Sequence, residues 1–274
     1  MKSRLLLSGF FIFVLMSNSP IGIFDSGIGG TSIFKEIHKL LPNENCIYLA
    51  DSKNAPYGNK SKADIIELSI KNTELLIKEG CKIIVVACNT ATTNAIDYLR
   101  KTYSIPFIGI EPAIKPAALN TQTKAIGILA TKGTLTSQLF HKTTDLYSKD
   151  IKIIEQVGEG IVPLIESGEL QSEMMTVYLQ TYLEPMLKQN IDYLVLGCTH
   201  YPYLIPMLVK MLPDHVKIID SGRAVAKQTQ AVLSQLDLRS NSTEKPNIQL
   251  FSNADIAVLN AILEDKFNVS YLDF

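Results

Sequence analysis

Runs of consecutive apolar residues, each closed by a small or turn-forming residue, recur along the chain at Ile21–Phe24, Ile47–Ala50, Ile83–Ala87, Ile105–Ile110 and Ala125–Thr131. An unbroken apolar run of this length is the pattern of a strand covered on both faces, as in a parallel sheet flanked by helices. Between the runs the apolar positions change to a 3.6-residue period. Ile33, Phe34, Ile37, Leu40 and Leu41 space one helix that Pro42 ends, and similar spacing marks helices near Ala63–Lys78 and Ala91–Lys101. Strand and helix in alternation predict an α/β fold built on doubly wound parallel sheets.

The pattern restarts in the second half. Ala125-Ile126-Gly127-Ile128-Leu129-Ala130-Thr131 echoes Pro20-Ile21-Gly22-Ile23-Phe24-Asp25-Ser26. Gly22 precedes Cys88 by 66 positions, and Gly127 precedes Cys198 by 71. Landmarks repeated at nearly one separation imply an internal duplication, whose halves are expected to pack with a pseudo-two-fold relation and to share a cleft. The expected organisation is an extension over 1–19, a first α/β domain from 20–111 plus 222–274, and a second over 112–221. The tail from Gly222 holds a helix through Leu236, a strand near Ile248–Phe251 and a helix over Ala254–Leu263, too little to stand alone. The polar stretch Arg239–Pro246 reads as a loop.

Composition narrows the partners. The chain has 274 residues, 46% hydrophobic and 19% charged, with a formal net charge of −1. Neither a basic excess nor a block of like charge favours nucleic acid or an anionic membrane, which leaves a small molecule. Lys2 and Arg4 precede an apolar run, Leu5–Met16, that resembles a signal-peptide core but is too short to span a bilayer and lacks a small-residue cleavage pattern. The preferred reading is that Met16 is the initiator and residues 1–15 an upstream over-reading. Four cysteines without C-x-x-C spacing form neither a disulfide framework nor a zinc site, and Cys46 and Cys81 read as buried hydrophobes.

Two cysteines stand apart. Cys88-Asn89-Thr90 and Cys198-Thr199-His200 each follow an apolar strand, where open α/β sheets gather their functional groups. Each offers a thiol, small donors suited to a carboxylate, and a helix start that favours the thiolate. A single such cysteine is more often a buried hydrophobe; the matched pair, with His200 beside one of them, argues for chemistry. His200 reads as a proton-handling group or a structural histidine, and no second ligand spacing supports a metal. His38, His141 and His215 read as surface residues. Asp25-Ser26-Gly27-Ile28-Gly29-Gly30 at a strand-to-helix turn is either an anion cradle or a tight turn with Asp25 as cap. Ala55-Pro56-Tyr57-Gly58 reads as a turn, and Glu166 taken alone as a solvated acid.

Taken together, Pro20–Gly30, Ala55–Gly58, Ala87-Cys88-Asn89-Thr90-Ala91, Pro163-Leu164-Ile165-Glu166 and Leu196–Pro202 resemble the bacterial glutamate racemase family, from Pro20 to the carboxyl end. The resemblance implies two flavodoxin-like domains with the active site between them and a cofactor-independent conversion of L- to D-glutamate for peptidoglycan precursors in the cytoplasm. It implies Cys88 and Cys198 as the acid/base thiols, assisted by Asp25, Glu166 and His200. Asp25, Ser26, Tyr57, Gly58, Asn89, Thr90, Thr199 and His200 are then substrate-binding, with no metal. Racemases of this type are often dimers, so a homodimer is expected. The rivals are a sibling racemase, such as one for aspartate, and a two-domain solute-binding protein, which has no use for paired thiols.

Overall fold

The computed structural model describes residues 17–274; the signal-like stretch Lys2–Met16 and the alternative start at Met16 lie outside the described residues. In chain order the strands are β1 (Ile21–Asp25), β2 (Cys46–Ala50), β3 (Ile83–Val86), β4 (Phe107–Gly109), β5 (Ala125–Ala130), β6 (Lys152–Val157), β7 (Tyr193–Gly197), β8 (Lys217–Ile219), β9 (Ile248–Ser252) and β10 (Val269–Tyr271). They form two sheets, ordered β10-β9-β2-β1-β3-β4 and β6-β5-β7-β8, with every pairing parallel. The doubly wound α/β architecture expected from the alternation is the one observed. Every residue of β1, β2, β3 and β5 is buried, which is why these strands announced themselves as unbroken apolar runs.

The two sheets repeat one plan. Strands β2-β1-β3-β4 and β6-β5-β7-β8 occupy the same relative order, and the register makes the correspondence residue by residue. Gly22 of β1 pairs with Ile84 of β3, and Gly127 of β5 pairs with Leu194 of β7. Cys88 lies four residues beyond Ile84, and Cys198 lies four beyond Leu194. Ser26 and Thr131 likewise lie four beyond the two glycines. Both glycines make room for packing: a Cβ would come within 2.9 Å of Cys81 Sγ at Gly22 and 2.6 Å of Met186 Sδ at Gly127. The duplication therefore puts both thiols at one level of their respective sheets.

Several elements carry weaker signals, and β6, β8 and β10 were not expected. Strand β6 is half exposed and carries Lys152, Glu155 and Gln156, so it never forms an apolar run. Strands β8 and β10 are three residues each. Strand β4 covers only Phe107–Gly109 of the expected Ile105–Ile110, and the helix expected over Ala254–Leu263 spans Ala257–Ile262. The helices Thr31–Leu40, Lys62–Lys78 and Asn89–Thr102 match their patterns closely. The second is fixed by a reciprocal cap, Ser61 Oγ accepting from the Asp64 N–H at 3.2 Å and Asp64 Oδ2 from the Ser61 N–H at 3.3 Å.

The chain crosses between the sheets twice. It leaves the first after β4, builds β5 to β8, and returns through helix Gly222–Gln235, which packs on helix Thr31–Leu40, to add β9 and β10 beside β2. Ser221 Oγ donates to Glu111 O at 2.5 Å, tying the return crossing to the outward one. Among the described residues no helix is long and apolar enough to cross a membrane.

Candidate active site

The carboxyl ends of the central strands converge on one cavity. Its walls include Ser26, Tyr57, Gly58, Cys88, Asn89 and Thr90 from the first sheet's half, and Thr131, Val162, Cys198, Thr199 and His200 from the second. Both predicted thiols line it. The cavity measures about 10 Å³, space on the order of a single water. A ligand of amino-acid size does not fit in this volume.

On the first side, Cys88 caps helix Asn89–Thr102: its Sγ lies 3.4 Å from the donating Ala91 N–H, and its thiol donates to Ser26 Oγ at 3.6 Å. Asp25, at the end of β1, is fully buried; Oδ2 accepts from the Gly27 N–H at 3.0 Å and Oδ1 from Thr199 Oγ1 at 3.1 Å. Burial pushes the Asp25 carboxyl up to about 6, with His200 opposing the rise and Glu166 adding to it. The helix start was expected to favour a Cys88 thiolate. Instead burial, with Asp25 nearby, pushes this thiol well up, and the Ala91 N–H and Ser26 hydroxyl only partly offset it.

On the second side a chain of groups ends at sulfur. His200 Nδ1 lies 3.7 Å from Cys198 Sγ, and its Nε2 lies 2.5 Å from Glu166 Oε1. Burial alone would lower His200, but its bonds to Cys198 and Glu166 outweigh this and hold it well above the ordinary histidine range. Glu166, read from sequence as a solvated acid when taken alone, is in fact held three ways: Oε1 also accepts from the Ile28 N–H at 2.8 Å, and Oε2 accepts from Ser52 Oγ at 2.9 Å. Cys198 precedes a 3₁₀ turn, Tyr201–Leu204, containing Pro202, so it lacks the α-helix start expected of it.

The glycine-rich turn holds a carboxylate, with the Ile28 N–H donating to Glu166 Oε1, while Asp25 accepts from the Gly27 N–H inside the turn and does not occupy the helix cap. Helix Thr31–Leu40 has Gly30 at its cap position and no side-chain cap. A Cβ at Gly27 would lie 2.7 Å from Glu166 Cδ, and one at Gly29 would lie 2.6 Å from His200 Cε1. The turn is bare so that the Glu166–His200 pair can press against it.

Asn89 lines the cavity with both amide atoms buried and unpartnered. Such a group is destabilising in the free protein unless a ligand completes it. Thr90 Oγ1 bonds Thr131 Oγ1 at 2.8 Å across the junction, and Asn94 Nδ2 donates to Gly133 O at 3.0 Å. Tyr57 reaches the wall with its ring, but its hydroxyl is engaged by Asp51 Oδ2 at 2.5 Å and faces Asn72 Nδ2 at 3.3 Å. Thr131, Val162 and Ser52 were missed in the sequence. Thr131 had a signal: in the repeat it is the counterpart of Ser26. Away from the site, burial pushes the thiols of Cys46 and Cys81 up to about 12, and both are inert core residues. His141 and His215 are exposed, whereas His38 is half-buried: its ring stacks on Phe34 and meets Phe267 edge-on. Among the described residues no group of three or more His, Cys, Asp or Glu side chains is placed to hold a metal ion.

Comparison with known proteins agrees with this architecture. A family profile described as Asp/Glu/hydantoin racemase matches residues 21–229. Glutamate racemase of Herpetosiphon aurantiacus is 44% identical over 242 residues, 88% of this chain and 95% of the relative. The crystal structure of Escherichia coli glutamate racemase in complex with L-glutamate and the activator UDP-MurNAc-Ala superposes with a TM-score of 0.82 at 32% identity, covering 93% of this chain and 98% of that one. The Francisella tularensis glutamate racemase, solved with D-glutamate, superposes at 0.81 with 29% identity and coverages of 93% and 98%. A profile covering most of the chain, and a relative this similar over nearly its whole length, establish that this chain belongs to the Asp/Glu racemase family and is an amino-acid racemase.

Proposed function

We propose that the chain interconverts L- and D-glutamate without a cofactor, by exchanging protons between the substrate α-carbon and two cysteines. The observation that carries this reading is the placement of Cys88 and Cys198, at equivalent register positions of two repeats, on the wall of one cavity. Inversion of a stereocentre needs a base on one face and an acid on the other, since a single group returns the proton where it was taken. The names of the relatives supply the substrate, and both enantiomers occur in complexes of their solved structures.

In the L-to-D direction Cys198 is the base. Glu166 holds the Nε2 side of His200 and so presents Nδ1 to the sulfur, where the ring takes up the thiol proton and leaves a thiolate beside an imidazolium. The thiolate removes the α-proton, and Cys88, held as a thiol by its burial, delivers a proton to the opposite face. In the reverse direction Cys88 is the base and Asp25 its neighbour. The carbanionic transition state places charge on the α-carboxylate, for which Ser26, Asn89, Thr90 and Thr199 are the donors, each supplying roughly 3 kcal/mol if well placed. Tyr57, Gly58 and Thr131 complete the walls. The two domains, 20–111 with 222–274 and 112–221, close over the substrate and exclude water. The product would supply D-glutamate for peptidoglycan synthesis in the cytoplasm.

Incubation with L-glutamate in deuterated water tests the reading. Racemisation should be accompanied by α-deuterium incorporation, and Cys88→Ser or Cys198→Ser should abolish racemisation almost entirely. Absence of both racemisation and exchange in the intact protein sinks the enzymatic assignment, and wild-type turnover in either variant sinks the two-thiol mechanism.

A further inference from the structure

Ser52 lies outside the cavity and outside every motif by which the chain was recognised, yet its hydroxyl reaches the pair that serves Cys198. It is the first residue of a 3₁₀ turn, Ser52–Asn54, at the carboxyl end of β2 in the first sheet. Glu166 and His200 belong to the segment that builds the second. The carboxylate of Glu166 is thus bonded on one side to His200 of its own half, and on the other to Ser52 Oγ and the Ile28 N–H of the opposite half. The turn itself is immobilised. Asn253, just past β9, accepts from the Lys53 N–H at 2.9 Å and donates to Asp51 Oδ1 at 2.5 Å, and Asn54 Nδ2 donates to the same oxygen at 2.8 Å.

We propose that Ser52 is a positioning residue that arms Cys198 only when the two halves are closed, by fixing the Glu166 carboxylate against His200. The inference rests on the two-thiol reading above. When the halves part to admit a ligand, Ser52 and Ile28 withdraw from Glu166 together. The carboxylate then loses two of its three donors and is free to leave the plane of the imidazole. Closure restores them and reorients His200 Nδ1 toward Cys198 Sγ. Ser52 does no such service for Cys88, whose neighbours are Asp25, Ser26 and the Ala91 N–H.

Rates alone do not assign a defect to one thiol. The enantiomers have equal free energy, so kcat/KM must fall equally in both directions. Isotope effects do assign it. L-Glutamate deuterated at Cα delivers its deuterium to Cys198, and D-glutamate deuterated at Cα delivers it to Cys88. In Ser52→Ala, kcat/KM is expected to fall roughly tenfold, the loss of one hydrogen bond to a charged group. The isotope effect on kcat/KM should grow for the L substrate and shrink toward unity for the D substrate. Ser52→Thr, which keeps the hydroxyl, should restore most of the rate and the wild-type isotope effects. A Ser52→Ala variant within about twofold of wild type, one whose isotope effects stay in the wild-type ratio, or a Ser52→Thr variant as impaired as the alanine overturns the proposal. Wild-type protein assayed alongside separates this from a failure of the two-thiol reading, which would show as no racemisation before any substitution.

Discussion

Adding one methyl group at Gly29 should disable the active site without unfolding the protein. The left-handed glycines among the described residues are Gly80, Gly160 and Gly168, so alanine at position 29 meets no backbone penalty and the effect is one of contact alone. The new Cβ would lie 2.5 Å from His200 Cγ and 2.6 Å from Cε1, where carbon atoms rest at about 3.5–4.0 Å. The ring must therefore retreat by about 1 Å. His200 is 1% exposed, and a retreat of that size directed away from Glu166 takes their 2.5 Å contact to about 3.5 Å, the outer limit of a hydrogen bond. Losing a bond between charged groups removes about 1.5–3 kcal/mol, and a displacement of about 1 Å in a catalytic group commonly lowers turnover about a hundredfold. Gly29→Ala should lower kcat/KM for L-glutamate by about two orders of magnitude, followed through the decay of optical rotation. Overpacking should destabilise the fold by about 1–3 kcal/mol, read from urea denaturation. A variant that racemises within about threefold of wild type would show that the bare turn does not exist to admit His200.

Three further outcomes are expected. Asp25 ionises near 3.8 when exposed and at about 6 in the fold, so between those values the folded state binds the extra proton and stability falls as pH rises, by about 3 kcal/mol in all. Asp25→Asn should therefore gain stability over wild type at pH 8 and show no such gain at pH 4; a difference independent of pH counts against the assignment. Asn89→Ala removes an amide with no partners, so thermal stability should hold or rise while KM for glutamate rises by roughly tenfold or more; a loss of stability like that of a satisfied buried amide would contradict this. Lys82→Met leaves Glu44, 2.5 Å from Lys82 Nζ in a pair whose side chains are 1% and 3% exposed, without its counter-charge. A loss of about 3–5 kcal/mol in urea denaturation is expected, and a change below about 1 kcal/mol would mean that the pair is not an isolated buried one.

What the sequence disclosed depended on whether a residue's role was local. Strands buried on both faces had to be apolar throughout, so β1, β2, β3 and β5 were legible, whereas β6, at a sheet edge with Lys152 and Glu155, had no such requirement. The two cysteines were legible because duplication printed them twice. Glu166 was legible by resemblance but not by physics, since the partners that make it matter, Ile28 and Ser52, are 138 and 114 residues away in sequence. The reason for Gly27 and Gly29 was hidden for the same cause: a missing side chain does not say whose side chain takes its place. Burial had the opposite effect on Cys88, because a helix start is visible in sequence and the exclusion of water that overrides it is not.

The two crossings between the sheets, stitched by Ser221 to Glu111, have a mechanical meaning. A single covalent connection would let the halves swivel, tilt and slide, and each of those freedoms would have to be lost when a substrate is enclosed. Two adjacent connections would leave essentially one, a rotation about the line through them, so that any opening would follow one arc. Groups near that line barely move, and groups far from it are brought into register together at the end of the swing. A narrow butt hinge of this kind would settle much of the ordering entropy of assembling a site from two walls when the chain folds, before a substrate arrives.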